Sequence, residues 1–364
     1  MINIGIIGCG RIATHHCEAI KNIPNLNLTA VCDLYYKTAL DLASKFKVKA
    51  YKSYHLMLNE NREINLVVVI TPSGMHYEHT VDIIKNYKKN VVVEKPTFLK
   101  SEEVEKVYKL AKKNKIKLFP IFQNRYNKAV KKVKKSLGSG VLGNIRTINA
   151  TIRWCRPQRY YDMSIWRGTY SHDGGALTNQ GIHYIDMLIF FAKNITEVSC
   201  IAKTLGSKIE VEDTATAIFK LKNGGIGSLE ITTAARPDDF EGSITLVCSK
   251  GMAKISGIAS NELVIFSPNT NDCKKYSDDF KDLPGRGKVY GRGHHEAYLD
   301  IYKSLTKNIP FPVSPSECLK SINLLNALYK SYENNGKWIK LNKIIKTTKL
   351  GRKNEKISNL YRTK

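Results

Sequence analysis

The stretch INIGIIGCGRIA, residues 2–13, decides the fold. It begins as an apolar, isoleucine-rich run, which predicts a buried strand. Gly8, Gly10 and Ala13 follow in the spacing G-x-G-x-x-A and open a helical pattern. Gly8 permits a tight turn, Gly10 lets a pyrophosphate approach the backbone, and Ala13 allows close packing of helix on sheet. The stretch therefore predicts a dinucleotide-binding turn, with Arg11 and Ile12 as further cofactor contacts at the helix start.

Four more apolar runs precede residue 122 and alternate with amphipathic segments: LNLTAVCD, LVVVIT, NVVVEKP and KLFPIF. This alternation predicts an α/β fold with a doubly wound parallel sheet. Asp33 ends the second run, where a carboxylate accepts hydrogen bonds from ribose hydroxyls and repels a 2′-phosphate. The predicted cofactor is therefore NAD, although Lys37 lies close enough in sequence to leave tolerance of NADP open.

After about residue 122 the pattern changes. Adjacent strand-like runs joined by short turns predict an α+β domain with an open, mostly antiparallel sheet, closed by helical patterns in HHEAYLDIYKSL and SECLKSINLLNALYKSY. A chain of 364 residues favours two domains. The predicted ranges are 1–122 for the cofactor domain, 123–342 for a substrate-binding and oligomerisation domain, and 343–364 for a basic tail.

Composition narrows the class of protein. Eight scattered cysteines without a C-x-x-C pair argue against a disulfide framework and against a metal site. No apolar run is long enough to span a bilayer, and no basic leader precedes the first strand, so we expect a cytoplasmic protein without membrane contact. The net charge of +26 is spread over many lysine-rich helices, which favours a compositional bias over a nucleic-acid surface. The basic tail is predicted to be a disordered arm for an acidic partner.

Polar residues follow the apolar runs that should end at one edge of the sheet. Residues Thr71, Pro72, Ser73 and His76 follow one run, and Glu94 and Lys95 follow the next. The carboxyl ends of parallel strands line the ligand crevice, so these residues are predicted to contact the cofactor. A surface ion pair between Glu94 and Lys95 is the alternative.

The second domain contains DGGALTNQGIHYID, residues 173–186, which places Asn179 and His183 four apart on one predicted helix face. A nicotinamide site that oxidises an alcohol needs a base for the hydroxyl proton and a donor that holds the oxygen. His183 and Lys95 supply these two groups in the predicted mechanism. A structural histidine on an amphipathic helix is the alternative.

Together, GCGRIA, Asp33, TPSGMH, VVEKP and GGALTNQGIHYID resemble the Gfo/Idh/MocA family of NAD(P)-dependent oxidoreductases, from residue 1 to about residue 335. The resemblance implies a Rossmann domain followed by an α+β domain whose open sheet mediates oligomers, a dimer or a tetramer. It also implies that Lys95 and His183 are catalytic and touch the substrate. Many members have an aspartate where this chain has Asn179, and an amide cannot serve as a base.

The segment WCRPQRYYDMSIWRG, residues 154–168, interleaves arginines with aromatic rings. It is similar to members that oxidise the C3 hydroxyl of UDP-N-acetylglucosaminuronic acid, a precursor of surface polysaccharide sugars, with 2-oxoglutarate reoxidising NADH. Guanidinium groups suit a diphosphate and a carboxylate, and rings suit uracil. The predicted substrate contacts are Arg156, Gln158, Arg159, Tyr160 and Asn179, and the predicted contacts near the nicotinamide are Gln123, Trp166 and Arg167. The alternative is a brace in which arginines pair with Asp162 or Asp173.

Two other functions stay open at this stage. One is a different enzyme of the same architecture, such as a free-sugar or inositol dehydrogenase or an NAD-dependent glycosidase. The other is a non-catalytic protein that binds nucleotide or nucleic acid through its basic surface.

Overall fold

The computed structural model describes residues 1–280 and 291–362. The chain divides into two compact units. Unit 1 comprises Met1–Ile121, His294–Cys318 and the C-terminal segment from Lys353, and unit 2 comprises Phe122–Gly293 and Leu319–Arg352. This division differs from the predicted ranges 1–122, 123–342 and 343–364, because two later segments of the chain join unit 1.

Unit 1 is built on a parallel sheet. Its described strands are β1 (Ile2–Ile7), β2 (Leu26–Cys32), β3 (Lys49–Tyr51), β4 (Leu66–Val69), β5 (Asn90–Val93) and β6 (Leu118–Pro120). Their order is β3-β2-β1-β4-β5-β6, and every neighbouring pair is parallel. The predicted doubly wound fold is confirmed, although the three-residue strand β3 is too short for the pattern to predict. The order reverses between β1 and β4, so the carboxyl ends of these strands flank a crevice.

Unit 2 is built on a mixed sheet. Its described strands are β7 (Ile145–Arg153), β8 (Ile195–Lys203), β9 (Thr214–Leu221), β10 (Ile226–Thr232), β11 (Glu241–Cys248), β12 (Met252–Ser256), β13 (Glu262–Phe266) and β14 (Ile339–Lys340). The order is β13-β12-β11-β7-β10-β9-β8-β14. Only β7 and β10 pair in parallel among these described strands, so the predicted mostly antiparallel sheet is confirmed. Along β9, Ala217 and Phe219 are buried whereas Ile218 and Lys220 are exposed, so one face of the sheet is covered and the other is open.

The described helices are α1 (Ala13–Lys21), α2 (Tyr36–Phe46), α3 (Tyr54–Glu60), α4 (His76–Asp82), α5 (Ser101–Lys113), α6 (Lys128–Gly138), α7 (Gln158–Tyr161), α8 (Ala176–Asn179), α9 (Ile182–Ala192), α10 (Asp272–Tyr276), α11 (Gly293–Lys307), α12 (Pro315–Glu333) and α13 (Glu355–Tyr361). Helix α5 carries Glu102 and Glu103 in its first turn and Lys112 and Lys113 in its last, an arrangement that complements the helix dipole. None of the described helices combines the length and the apolar character needed to cross a bilayer.

The prediction of a disordered arm after residue 342 is wrong for the described part of the tail. Within unit 2, Leu350 is fully buried, and Glu333 accepts hydrogen bonds from the Thr348 and Lys349 backbone N–H groups. Within unit 1, α13 packs beside the turn Ser73–Met75, and Arg362 pairs with Glu78 at 2.8 Å. The lysine-rich composition of the tail suggests disorder, because it does not reveal that one buried leucine and two acidic partners outside the tail hold it in place. Residues 363 and 364 lie outside the described residues.

Candidate active site

The glycine turn has the geometry that a dinucleotide requires. Gly8 has a φ of +100°, and a Cβ there would lie 2.6 Å from the Ile70 carbonyl oxygen, so no other residue fits. A Cβ at Gly10 would meet no described heavy atom within 4 Å, which leaves the backbone accessible to a phosphate. Ala13 is fully buried at the start of α1. These residues fit NAD as the resident cofactor. At the same turn, Arg11 is exposed and Ile12 is half-buried.

Asp33 links the end of β2 to the glycine turn. Its Oδ2 accepts the Cys9 N–H at 2.8 Å, and its Oδ1 accepts the Tyr35 N–H at 2.9 Å. The carboxylate is therefore held beside the turn by backbone donors, and each oxygen retains a second lone pair. This position suits the ribose hydroxyls expected from the sequence.

His76 joins the loops that follow β4 and β5. Its ring is buried, with Nδ1 2.9 Å from the Pro96 carbonyl oxygen and Nε2 2.9 Å from the Thr71 carbonyl oxygen. Burial lowers the pKa of His76, so the neutral ring donates to one carbonyl at a time. The structure places Thr71, Pro72 and Ser73 in the adjacent loop. The prediction that these residues contact the cofactor stays a prediction.

Glu94 is not the partner of a surface lysine. Its carboxylate is buried, and Oε1 lies 3.2 Å from His16 Nε2 and 3.0 Å from His294 Nε2, while Oε2 accepts the Lys95 N–H at 2.8 Å. Burial alone raises the pKa of Glu94, but the hydrogen bonds from the two imidazoles hold that pKa well below its usual range. Lys95 itself is half-buried at the carboxyl end of β5.

The segment 154–168 folds as a stack of alternating cations and rings. The Arg156 guanidinium lies 5.2 Å from the Trp154 ring and 5.7 Å from the Tyr160 ring. The Arg167 guanidinium lies 4.5 Å from the Tyr160 ring and 4.6 Å from the Trp166 ring. These contacts explain the interleaving in the sequence, because each cation lies against the faces of two neighbouring rings.

The polar ends of this stack have distinct partners. Arg156 pairs with Asp239 at 2.7 Å, rather than with the aspartates suggested by the sequence, and Gln158 contacts Asp162 and Lys208. Arg159 is different, because its side chain is exposed and the described residues provide no hydrogen-bond or ionic partner for it. The segment therefore combines a braced part with one available guanidinium.

Asn179 and His183 lie on two short helices rather than on one face of a single helix. The Gly181 N–H bonds to the Ala176 carbonyl oxygen at 2.7 Å, five residues back, and this wide turn separates α8 from α9. Asn179 Nδ2 lies 2.5 Å from Asp173 Oδ1, and Asp173 Oδ2 accepts the Gly168 N–H at 2.8 Å. Asp173 is buried and His183 is only 8% exposed.

The amide of Asn179 has a determined orientation. A carboxylate accepts hydrogen bonds and does not donate, so the NH₂ group must face Asp173. The Asn179 carbonyl oxygen is consequently turned away from Asp173, and it can only accept. The only side-chain carboxylate that the described contacts place against Asn179 is that of Asp173.

The sequence pattern does not indicate several polar residues that lie near the predicted positions. Arg125, on the same turn as the buried Gln123, makes a two-point ion pair with Asp186, and Ser321 Oγ donates to the same carboxylate. His16 and His294 are separated by most of the chain. Residues that pair over such distances in the chain have no fixed spacing that a motif could report. A single histidine in a helix is usually structural, so neither histidine is indicated as part of a site.

Glu212 lies beneath the Gly174–Gly175 turn. Its Oε1 accepts from Tyr329 Oη at 2.8 Å and from the Leu177 N–H at 3.1 Å, and a Cβ on Gly175 would lie 2.2 Å from its side chain. Burial raises the pKa of Glu212 to about 7. The folded state therefore binds this proton more tightly than the unfolded state does.

Stability should consequently fall as pH rises from about 4.5 to about 7 and level off above it. A rise in the pKa of Glu212 from 4.5 to about 7 corresponds to about 3 kcal/mol of unfolding free energy. Glu212→Gln should remove this part of the pH dependence, measured by urea unfolding at pH 5 and pH 8. Burial also raises the pKa of Glu103 to about 7, so a residual slope is expected. Glu262→Gln, at an exposed position, is the control, and an unchanged slope in Glu212→Gln would contradict the assignment.

Comparison with known proteins gives two matching family models. A model of an oxidoreductase family with an NAD-binding Rossmann fold matches residues 2–122, and a GFO/IDH/MocA C-terminal domain model matches residues 130–254. The chain is 25% identical over 355 residues to myo-inositol 2-dehydrogenase of Thermotoga maritima, which covers 94% of this chain and 100% of that protein. It is 28% identical over 260 residues to glucose-6-phosphate 3-dehydrogenase of Bacillus subtilis, which covers 69% of this chain and 73% of that protein.

Two solved structures are more similar in sequence. The WlbA dehydrogenase from Bordetella pertussis, in complex with NADH and UDP-GlcNAcA, is 30% identical with a TM-score of 0.86, over 93% of this chain and 97% of that chain. The WlbA enzyme from Chromobacterium violaceum, also with NADH and UDP-GlcNAcA, is 30% identical with a TM-score of 0.82, over 93% of this chain and 95% of that chain. The chain therefore belongs to the GFO/IDH/MocA family and is an NAD-dependent dehydrogenase.

Proposed function

We propose that this protein oxidises the C3 hydroxyl of UDP-N-acetylglucosaminuronic acid to a ketone, with NAD as the oxidant. The observation that carries the proposal is the segment 154–168, in which Arg159 is exposed beside a stack of two guanidinium groups and three rings. A guanidinium fork binds phosphate and carboxylate oxygens at two points, and an aromatic face accepts a flat base. Two relatives that are 30% identical crystallised with this UDP-sugar and NADH.

In the proposed mechanism Lys95 and His183 act on the same hydroxyl. The His183 imidazole takes the hydroxyl proton, and the Lys95 ammonium donates a hydrogen bond to the oxygen as the carbonyl forms. Asn179 accepts a hydrogen bond from a neighbouring group of the sugar. Bound NAD supplies the acceptor for the hydride. Its proposed contacts are Gly8, Gly10, Arg11, Ile12, Asp33, Thr71, Pro72, Ser73, His76, Glu94, Lys95, Gln123, Trp166 and Arg167.

Mass spectrometry of the sugar tests the reaction. The protein is incubated with NAD, 2-oxoglutarate and UDP-N-acetylglucosaminuronic acid, and a product lighter by two hydrogen atoms is expected. UDP-N-acetylglucosamine, which differs in lacking the carboxylate, should be oxidised far less efficiently. If neither UDP-sugar is converted while bound NAD is verified, the proposal is wrong.

Arg159→Ala tests substrate recognition separately. Loss of a charged two-point contact should raise the KM for the UDP-sugar about 10-fold with little change in kcat. Arg146→Ala, at an exposed position on β7, is the matched control and should leave both constants unchanged. An equal KM in the two variants would remove Arg159 from the substrate site.

The curated relatives favour a second candidate, a dehydrogenase for a free cyclitol or sugar phosphate. Myo-inositol and glucose 6-phosphate in the same assay decide between the two. Turnover of either, without turnover of the UDP-sugar, would favour the second candidate.

Three further proposals accompany the first. NADH is reoxidised within the site by 2-oxoglutarate, the protein acts in the cytoplasm in the synthesis of surface polysaccharide sugars, and it is a dimer or a tetramer. The oligomer proposal is supported by the open face of the second sheet, where Ile201, Ile218 and Ile226 are between 50% and 64% exposed.

A further inference from the structure

Three buried polar side chains from distant parts of the chain meet at the carboxyl end of β5. His16 comes from α1, Glu94 directly follows β5, and His294 comes from the first turn of α11. All three belong to unit 1, and each is at most 5% exposed. An ionised carboxylate is costly to bury unless its lone pairs are used, so this cluster needs a reason.

The direction of each hydrogen bond in the cluster follows from chemistry. A carboxylate only accepts, so Nε2 of both histidines must carry the proton that faces Glu94 Oε1. His16 Nδ1 then has a lone pair, and Tyr298 Oη, 2.8 Å away, donates to it. The result is a directed chain from Tyr298 through His16 to Glu94. Burial lowers the pKa of His16, which keeps its ring neutral in this role.

The other oxygen of Glu94 acts on the next residue. Oε2 accepts the backbone N–H of Lys95, which fixes the peptide from which the lysine side chain leaves the strand. On the far side, His76 Nδ1 lies 2.9 Å from the Pro96 carbonyl oxygen, and the ring donates to it in one of its two neutral tautomers. Residues 94–96 are thus fixed from both ends by buried imidazoles. The titratable groups near Glu94 are His16, His294 and His76, and Lys95 is its neighbour in the chain.

We propose that Glu94, held by His16 and His294, is a positioning residue that sets the orientation and the charge of Lys95. The inference rests on the function proposed above for Lys95. The alternative role for the cluster is a cation site, because the three ligand atoms all lie within 4.8 Å of one another. Hydrogen bonds satisfy the same atoms without a cation, and this favours positioning.

A matched pair of variants at His16 tests the proposal. Glutamine in place of His16 keeps an N–H donor for Glu94, whereas leucine has a similar volume and no donor. We expect His16→Leu to lower kcat about 10-fold with the dissociation constant for NAD unchanged, and His16→Gln to retain most of the wild-type kcat. Equal kcat values for the two variants would overturn the positioning role.

A second readout does not need the substrate. The rate at which Lys95 reacts with trace acetic anhydride is followed against pH, peptide by peptide, with exposed Lys85 as the internal reference. Glu94→Gln removes a negative charge and cannot accept from all three facing N–H groups. The pH at which Lys95 becomes reactive should therefore fall in Glu94→Gln and stay constant for Lys85.

The outcomes separate the two proposals. If the Lys95 reactivity shifts in Glu94→Gln while the wild-type protein oxidises no UDP-sugar, the positioning role is supported and the proposed substrate is rejected. No shift in a folded Glu94→Gln protein overturns the positioning role whatever the substrate. One equivalent of tightly bound zinc in the purified protein, absent from His16→Leu, would also overturn it in favour of a cation site.

Discussion

Replacing Lys95 by alanine should lower kcat about 1,000-fold, and replacing His183 by alanine should lower it by a similar factor. In the proposed mechanism each variant removes a group that acts on the reacting hydroxyl, so kcat should fall far more than the affinity for NAD, to which Lys95 also contributes a proposed contact. Steady-state kinetics and calorimetric titration with NAD measure the two quantities.

The double variant sharpens this prediction. Groups that act on one hydroxyl are not independent, so Lys95→Ala combined with His183→Ala should be little worse than either single variant. Lys85→Ala, at an exposed position, is the control for loss of a positive charge. A Lys95→Ala protein that retains a tenth of the wild-type kcat would exclude a catalytic role.

Asn179→Asp should inactivate the protein at pH 8. The substitution places a second carboxylate 2.5 Å from Asp173, in a partly buried position where one of the two must take up a proton. We expect a loss of at least about 100-fold in kcat/KM at pH 8 and a smaller loss at pH 6, where the pair holds a proton. The unfolding free energy should fall by about 2 kcal/mol at pH 8.

A charge swap separates repulsion from simple loss of the amide. In Asp173→Asn combined with Asn179→Asp, an amide again faces a carboxylate, and the amide oxygen introduced at position 173 can still accept the Gly168 N–H. The swap should recover most of the stability lost at pH 8. Asn334→Asp, where the amide donates to the Lys330 carbonyl oxygen, is a control without a facing carboxylate. If the swap is as unstable as Asn179→Asp, like-charge repulsion is not the cause.

The fold was predictable because its signals are local. The glycine spacing, the runs of β-branched residues and the short turns each report on neighbouring residues, and together they indicate both sheets. The parallel pairing of β7 with β10 has no such signal, because two other strands and three helices lie between these strands in the chain. The ordered tail was missed for a different reason, since a few buried anchors such as Leu350 decide its structure within a lysine-rich stretch.

The sequence nominates the residues of the candidate site, and their roles stay predictions, but it does not indicate the network of contacts between them. Motif spacing indicated Lys95, His183 and Asn179, and residue type indicated the arginines of segment 154–168. What the spacing could not indicate is which acid each group faces. Arg156 forms an ion pair with Asp239, and Asn179 donates a hydrogen bond to Asp173. Glu94 accepts hydrogen bonds from two histidines that are far apart in the chain.

The division of the chain has a consequence for its synthesis. Unit 1 begins with the first strand, yet it includes His294–Cys318 and the segment from Lys353. Until His294 has left the ribosome, Glu94 lacks one of its two imidazole donors. Arg362, which forms an ion pair with Glu78, emerges later still. The cofactor unit is therefore the first to start and the last to be completed, and a nascent chain that carries only residues 1–121 holds an unfinished version of it.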